Sequence, residues 1–145
     1  MWLNQQTLDA IRIMARLAVD APELAKAANI AQSTGITVTN VQKTVYALAQ
    51  GNLIETVRGR SGGVRLAQPA QTISIGQIVR LFEPQDCPIN FMPTAHAEAA
   101  LSSLLFKAHR GFFQPLEETT LADIEPRALA RKGAQAAPST TGVPA

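Results

Sequence analysis

From Leu8 to Val19 the apolar residues Leu8, Ile11, Met14, Ala15, Ala18 and Val19 recur at a spacing of about 3.6, which predicts an amphipathic helix. On that reading Asp9, Arg12 and Arg16 face outward. Pro22 opens the next segment, as proline does near a helix start, and a short helix fits Glu23 to Gln32. Ser33-Thr34-Gly35 breaks it, with Gly35 suited to a left-handed cap. Thr37 is a good N-cap for a further helix running to about Gln50, with Val41, Val45 and Leu48 on one face. Leu53–Val57 and Val64–Ala67 are β-compatible runs around the glycine-rich stretch Arg58–Gly63, and together they predict a hairpin. Ser74–Phe82 reads as another helix, Pro84–Pro93 as a loop, and Thr94 to about Leu116 as the longest helical pattern. The apolar stripe of that last helix includes Leu101, Leu104, Leu105, Phe112 and Phe113. So wide a stripe rarely lies on a small monomer; a dimer seam is its natural use, and packing onto its own domain is the other reading. Beyond Ile124 the chain turns to Ala, Pro, Gly, Ser and Thr, a composition expected to be disordered.

Length and charge narrow the partners. A chain of 145 residues, 46% of them apolar, makes one domain with an extension and can bury a core without disulfides. One cysteine excludes an internal disulfide framework and a self-contained multi-cysteine zinc site. The first residues lack the basic start and apolar run of a signal peptide, and no stretch reaches the roughly 18 apolar residues of a membrane span, so a cytoplasmic location is expected. The net charge is only +2. Residues 1–80, however, hold eight Lys or Arg against four Asp or Glu, and residues 81–124 hold two against six. A front at +4 followed by a middle at −4 suggests that the front meets a polyanion.

Residues 27–45 have helix-turn-helix spacing. Ala31 is small enough for two helices to approach, Gly35 makes the turn, and Val41 anchors the second helix, with Ile30, Ile36 and Val45 filling the core between them. The second helix then presents Thr39, Asn40, Gln42, Lys43 and Tyr46 outward, with Thr37 at its start. Asn and Gln pair bidentately with adenine, Lys reaches guanine or phosphate, and Thr and Tyr suit phosphate. A plain helical hairpin with a solvated face has the same pattern, and the hairpin after it decides between them. Arg58, Gly59, Arg60, Ser61 and Gly62 have wing-tip chemistry: arginines enter a narrow minor groove and glycines let the backbone approach phosphates. Arg65 adds a cation on the returning strand. A nucleotide phosphate loop is excluded, since no Gly-Lys-Ser/Thr follows and no helix opens there. No Ser/His/Asp set or paired acid–base carboxylates stand in a recognisable frame, so an enzyme is not expected.

The run from Ile54 to Ala67, Ile-Glu-Thr-Val-Arg-Gly-Arg-Ser-Gly-Gly-Val-Arg-Leu-Ala, closely resembles the wing of the Rrf-two family of bacterial regulators, the IscR/NsrR/RirA type. The resemblance spans about residues 3–124 and takes in Arg12, the Ile30-Ala31…Gly35-Ile36 turn and Thr120-Leu121-Ala122-Asp123-Ile124. It implies a mainly α fold with a small β-hairpin: a winged helix-turn-helix DNA-binding domain over residues 1–82, a sensor loop over 83–93, a dimerisation helix and short following segment over 94–124, and a tail over 125–145. It also implies a homodimeric repressor, paired through residues 94–117, whose recognition helix and wing bind a palindromic operator in double-stranded DNA.

The family's cluster-binding members carry three cysteines just before and into the long helix, because thiolates are the soft ligands that iron–sulfur clusters prefer. This chain keeps Cys87 alone. Aligned back from Phe112-Phe113 and Thr120-Leu121, the other two positions hold Pro93 and Ala99; aligned on the Asp-Cys-Pro context, His96 falls where some members use a histidine ligand. Three readings stay open: an iron–sulfur cluster with atypical ligation from Cys87 with His96, Asp86, Glu83 or Asp9; a thiol oxidant sensed at Cys87; or a cluster-free member that senses a small ligand. A dimerisation module that has kept the fold without binding DNA is the further alternative.

Overall fold

The computed structural model describes residues 3–83 and 96–124. Its elements run α1 (Gln5–Asp20), α2 (Ala27–Thr34), α3 (Val38–Gln50), β1 (Ile54–Val57), β2 (Gly63–Leu66), a 3-10 turn (Ala70–Thr72), α4 (Ile75–Phe82) and α5 (His96–Glu118). The expected mainly helical fold with one small hairpin is what is found. The loop around Cys87 and the tail after Ile124 lie outside the described residues.

Helix α1 is the wall on which the rest is built. Asn4 caps it by accepting from the Thr7 amide at 2.8 Å, one of the donors a helix start leaves unsatisfied. The Asn4 side chain also donates to the Phe82 carbonyl at 2.9 Å, and its amide donates to Glu83 at 2.8 Å, so the start of α1 is tied to the end of α4. The buried face is Thr7, Ala10, Ile13, Met14 and Leu17, with Asp9 beside it. This corrects the sequence reading. Leu8 and Val19 are exposed, Ile11 and Ala18 are only half-buried, and Asp9 is buried rather than outward. The helix has two adjoining apolar faces, and periodicity cannot say which one meets α2, α3, α4 and β2.

The second correction is the start of α2. It begins at Ala27, not Glu23. Ala25 is instead bridged to Val64 by two backbone bonds of 2.9 Å, so the segment before α2 lies as a short extended piece beside β2. A strand partner satisfies the backbone groups that a first helical turn would have left open. Strands β1 and β2 pair antiparallel with Ile54 opposite Leu66 and Val57 opposite Gly63, as the hairpin reading expects.

Helix α5 runs from His96 to Glu118, two residues later at each end than expected. Its last turns join the core. Phe113 is 2% exposed and Leu121 is fully buried. The chain after α5 returns antiparallel to the segment before α4: the Ile75 amide donates to the Thr119 carbonyl at 2.9 Å, and the Leu121 amide to the Ile73 carbonyl at 2.7 Å. Asp123 closes this turn by accepting from the Thr120 amide at 2.9 Å and hydroxyl at 2.6 Å, which hold its carboxyl below the usual aspartate range. Across the seam Arg80 pairs with Glu117 and lies 4.3 Å over the Phe113 ring. The first part of α5 is different: Leu101, Leu104 and Phe106 are 48%, 62% and 55% exposed.

At Gly76 α4 lies close against α5. A Cβ there would stand 2.8 Å from Glu117 Cγ and 3.1 Å from its backbone N and Cα. In an open helix Gly→Ala gains about 1 kcal/mol of propensity. Here overpacking against backbone costs about 1–3 kcal/mol and dominates. Gly76→Ala is therefore expected to lower the midpoint of urea unfolding, and an unchanged or raised midpoint would show that the α4–α5 approach is looser than this.

Candidate nucleic-acid interface

Helices α2 and α3 form a tight corner. Gly35 ends α2 in the left-handed region at φ 74°, its amide donating to the Ala31 carbonyl at 2.9 Å. Buried Thr34 turns inward, donating from Oγ1 to the Ile30 carbonyl at 2.7 Å and accepting from the Ile36 amide at 3.4 Å. Ile30, Ala31, Ile36 and Val41 fill the angle, as the spacing predicts, and Leu48 locks α3 to the core. Thr37 caps α3, its hydroxyl accepting from the Asn40 amide at 3.3 Å.

With Val41, Thr44 and Leu48 buried, the opposite side of α3 stands in solvent. Thr39, Asn40, Gln42, Lys43 and Tyr46 are all exposed there, Tyr46 at 68%. Gln42, Lys43 and Tyr46 follow Thr39 by three, four and seven positions and line one stripe with it, and Asn40 flanks that stripe three positions before Lys43. Between α3 and the start of α1 lies a crevice of about 190 Å³ lined by Gln5, Gln6, Asp9, Asn40, Lys43 and Thr44. The sequence reading did not place Gln5 or Gln6 beside the stripe, since nothing in the linear pattern sets where α1 crosses α3.

The hairpin supplies the second half of the surface. Arg58, Gly59, Arg60 and Ser61 are exposed at its tip. The tip closes through the Gly62 amide donating to the Gly59 carbonyl at 3.0 Å. A Cβ on Gly62 would fall 2.1 Å from the Val57 carbonyl oxygen, so the turn requires glycine there.

Arg65 is placed differently from its neighbours. It sits directly across the ladder from Glu55, and its Nε donates to the Glu55 carboxylate at 2.9 Å. That hydrogen bond, and the carboxylate's charge, hold the guanidinium above its usual pKa. Its guanidinium is thus engaged within the hairpin, in a half-exposed cross-strand pair. A cation the sequence reading missed stands nearby: Lys26 Nζ donates to the Arg60 carbonyl at 3.4 Å.

The proposed sensor residues are only partly in view. Cys87 lies outside the described residues and His96 opens α5. Among the described residues no three His, Cys, Asp or Glu side chains are grouped to hold a metal. No helix among them is long and apolar enough to cross a membrane.

Comparison with known proteins agrees with this architecture. The chain matches the Rrf2 family model, described as iron-dependent transcriptional regulator, over residues 3–126. It is 31% identical over 136 residues to protein Aau3 of Rhizobium meliloti (strain 1021), an alignment covering 86% of this chain and 84% of that protein. In three dimensions it is similar to CymR, the global cysteine regulator of B. subtilis, with a TM-score of 0.74 at 22% identity over 88% of this chain and 98% of that one. It is also similar to T. potens IscR, with a TM-score of 0.71 at 22% identity over 88% of each chain. The oxidized form of Staphylococcus aureus CymR gives 0.68 at 26% identity over 86% of this chain and 96% of that one. At these identities the first two structures speak for the fold, while the family match and the Rhizobium relative speak for descent: the chain belongs to the Rrf2 family of transcriptional regulators.

Proposed function

We propose that this chain is a sequence-specific DNA-binding repressor that holds a palindromic operator as a homodimer and works in the cytoplasm. The observation that carries the reading is the pairing of an exposed polar stripe on α3 with a wing whose tip is two exposed arginines. A helix of this kind fits the major groove, and arginines beside it suit phosphates or the adjacent minor groove. Asn40, Gln42 and Lys43 are proposed to read base edges. Thr39, Tyr46, Arg58 and Arg60 are proposed to hold the backbone, with Gly59, Ser61 and Gly62 letting the wing approach it. Thr37 sets the start of the recognition helix, and Arg65 steadies the wing through Glu55. On this reading residues 1–82 form the DNA-binding unit and residues 94–117 the dimer seam.

The signal is proposed to enter through residues 83–93, around Cys87. The donor set does not fit a cluster held by thiolates, since each chain carries one cysteine. The sensing chemistry is instead proposed to be that of the Cys87 thiol or of a small bound ligand.

Arg60→Ala should weaken binding to every duplex and flatten its salt dependence, because it removes a cation that neutralises a phosphate. Asn40→Ala or Gln42→Ala should instead lose about 1–3 kcal/mol of preference for operator over random DNA. Equal losses on both duplexes, measured by fluorescence anisotropy, would refute base reading. Leu104→Glu places a charge on the exposed apolar stripe of α5 and is expected to convert a dimer to a monomer in sedimentation equilibrium; a dimer that survives it puts the seam elsewhere. Protein purified without oxygen should lack visible charge-transfer absorption. A brown protein that Cys87→Ala bleaches would restore an atypically ligated iron–sulfur cluster as its sensor.

A further inference from the structure

The wing and the helix-turn-helix are joined by more than chain connectivity. Ala25 is bridged to Val64 on both sides, and a Cβ on Gly63 would stand 2.7 Å from the Ala25 carbonyl oxygen. The residue after Ala25 is Lys26, the N-cap of α2. Its side chain is exposed and spans from the helix-turn-helix to the wing, where its ammonium meets the Arg60 carbonyl at 3.4 Å. Lys26 thus stands between the two parts of the surface, while Arg65, the cation expected from the sequence, is occupied by Glu55 at 2.9 Å.

We propose that Lys26 is a further DNA-contacting residue: its ammonium, held beside the wing tip, binds a backbone phosphate between the footprint of the wing and that of α3. The inference rests on the DNA-binding reading above. Its physical basis is the balance of charge. The ammonium's present partner is a neutral carbonyl at the long end of hydrogen-bond distance, whereas a phosphate offers it a full negative charge and a shorter, charge-assisted bond. In helix-turn-helix complexes the first helix crosses the DNA backbone, and Lys26 is the residue that opens it. Arg65 would have to give up a carboxylate to reach a phosphate in the same way. Lys26 gives up a weak bond to a carbonyl that water can satisfy at an exposed tip.

The experiment measures the affinity of the full-length protein for a labelled mixed-sequence duplex over a range of salt concentrations. Native chain, Lys26→Gln, Lys26→Arg and Arg60→Gln are compared. The slope of log K against log salt falls by about 0.9 for each phosphate that the protein no longer neutralises. The inference expects Lys26→Gln to lower the slope by that amount and Lys26→Arg to retain it, with thermal unfolding unchanged in both. A native slope in Lys26→Gln beside a lowered slope in Arg60→Gln overturns the role of Lys26 and leaves the DNA-binding reading standing. Native slopes in both variants overturn the phosphate contacts of Lys26 and the wing tip together, and no duplex binding by the native chain overturns the DNA-binding reading with them.

Discussion

Helix α1 carries α2, α3, α4 and β2 on its buried sides. Ala10, Ile13 and Met14 have no exposed surface, and Leu17 has almost none. Each large side chain of that set contributes roughly 1.5–3 kcal/mol by leaving water. The geometry follows from this burial. The recognition helix is held by Val41, Thr44 and Leu48 beneath it, so its polar stripe faces solvent rather than rotating inward. The start of α1, tied to Phe82 and Glu83, sits beside Asn40 and Lys43 at one end of the same helix. The helix proposed to read DNA and Glu83, where the segment proposed to receive the signal begins, therefore share one support.

Charge is distributed in keeping with that support. Glu55 and Arg65 satisfy each other across the hairpin, which leaves the wing tip to Arg58 and Arg60. An exposed cross-strand pair of this kind adds little stability. Its effect is on the field: it keeps a positive side chain on the strand from competing with those at the tip. The basic character of residues 1–80 is thus concentrated at the tip of the wing, with Lys26 against it and Lys43 on α3.

Helix α5 joins two environments. Its last turns are bound to α4 by Phe113, by the Arg80–Glu117 pair and by the return of Leu121 to Ile73. Its earlier turns present Leu101, Leu104 and Phe106 to solvent, the exposed apolar stripe on which the proposed dimer seam rests. In the proposed dimer, a change near residues 83–93 would act at the end of α4, where α1 is tied.

The amino-acid sequence by itself determined the element order, the turn at Gly35, the cap at Thr37, the glycine-rich wing tip and the family. Those features are local: a cap, a turn and a two-residue alternation depend on neighbours a few positions away, and the wing run is long enough to be specific. The tertiary structure decided what depends on distant partners. It chose between the two apolar faces of α1, because only the packing of α2, α3, α4 and β2 tells Ile13 from Ile11. It made the chain at Ala25 an extended neighbour of β2, because Val64 supplies backbone partners that no local pattern announces. It paired Arg65 with Glu55 and brought Lys26 to Arg60, 34 residues away along the chain. Charge is legible in the sequence, but which cation is left for a ligand depends on which one the fold has already neutralised.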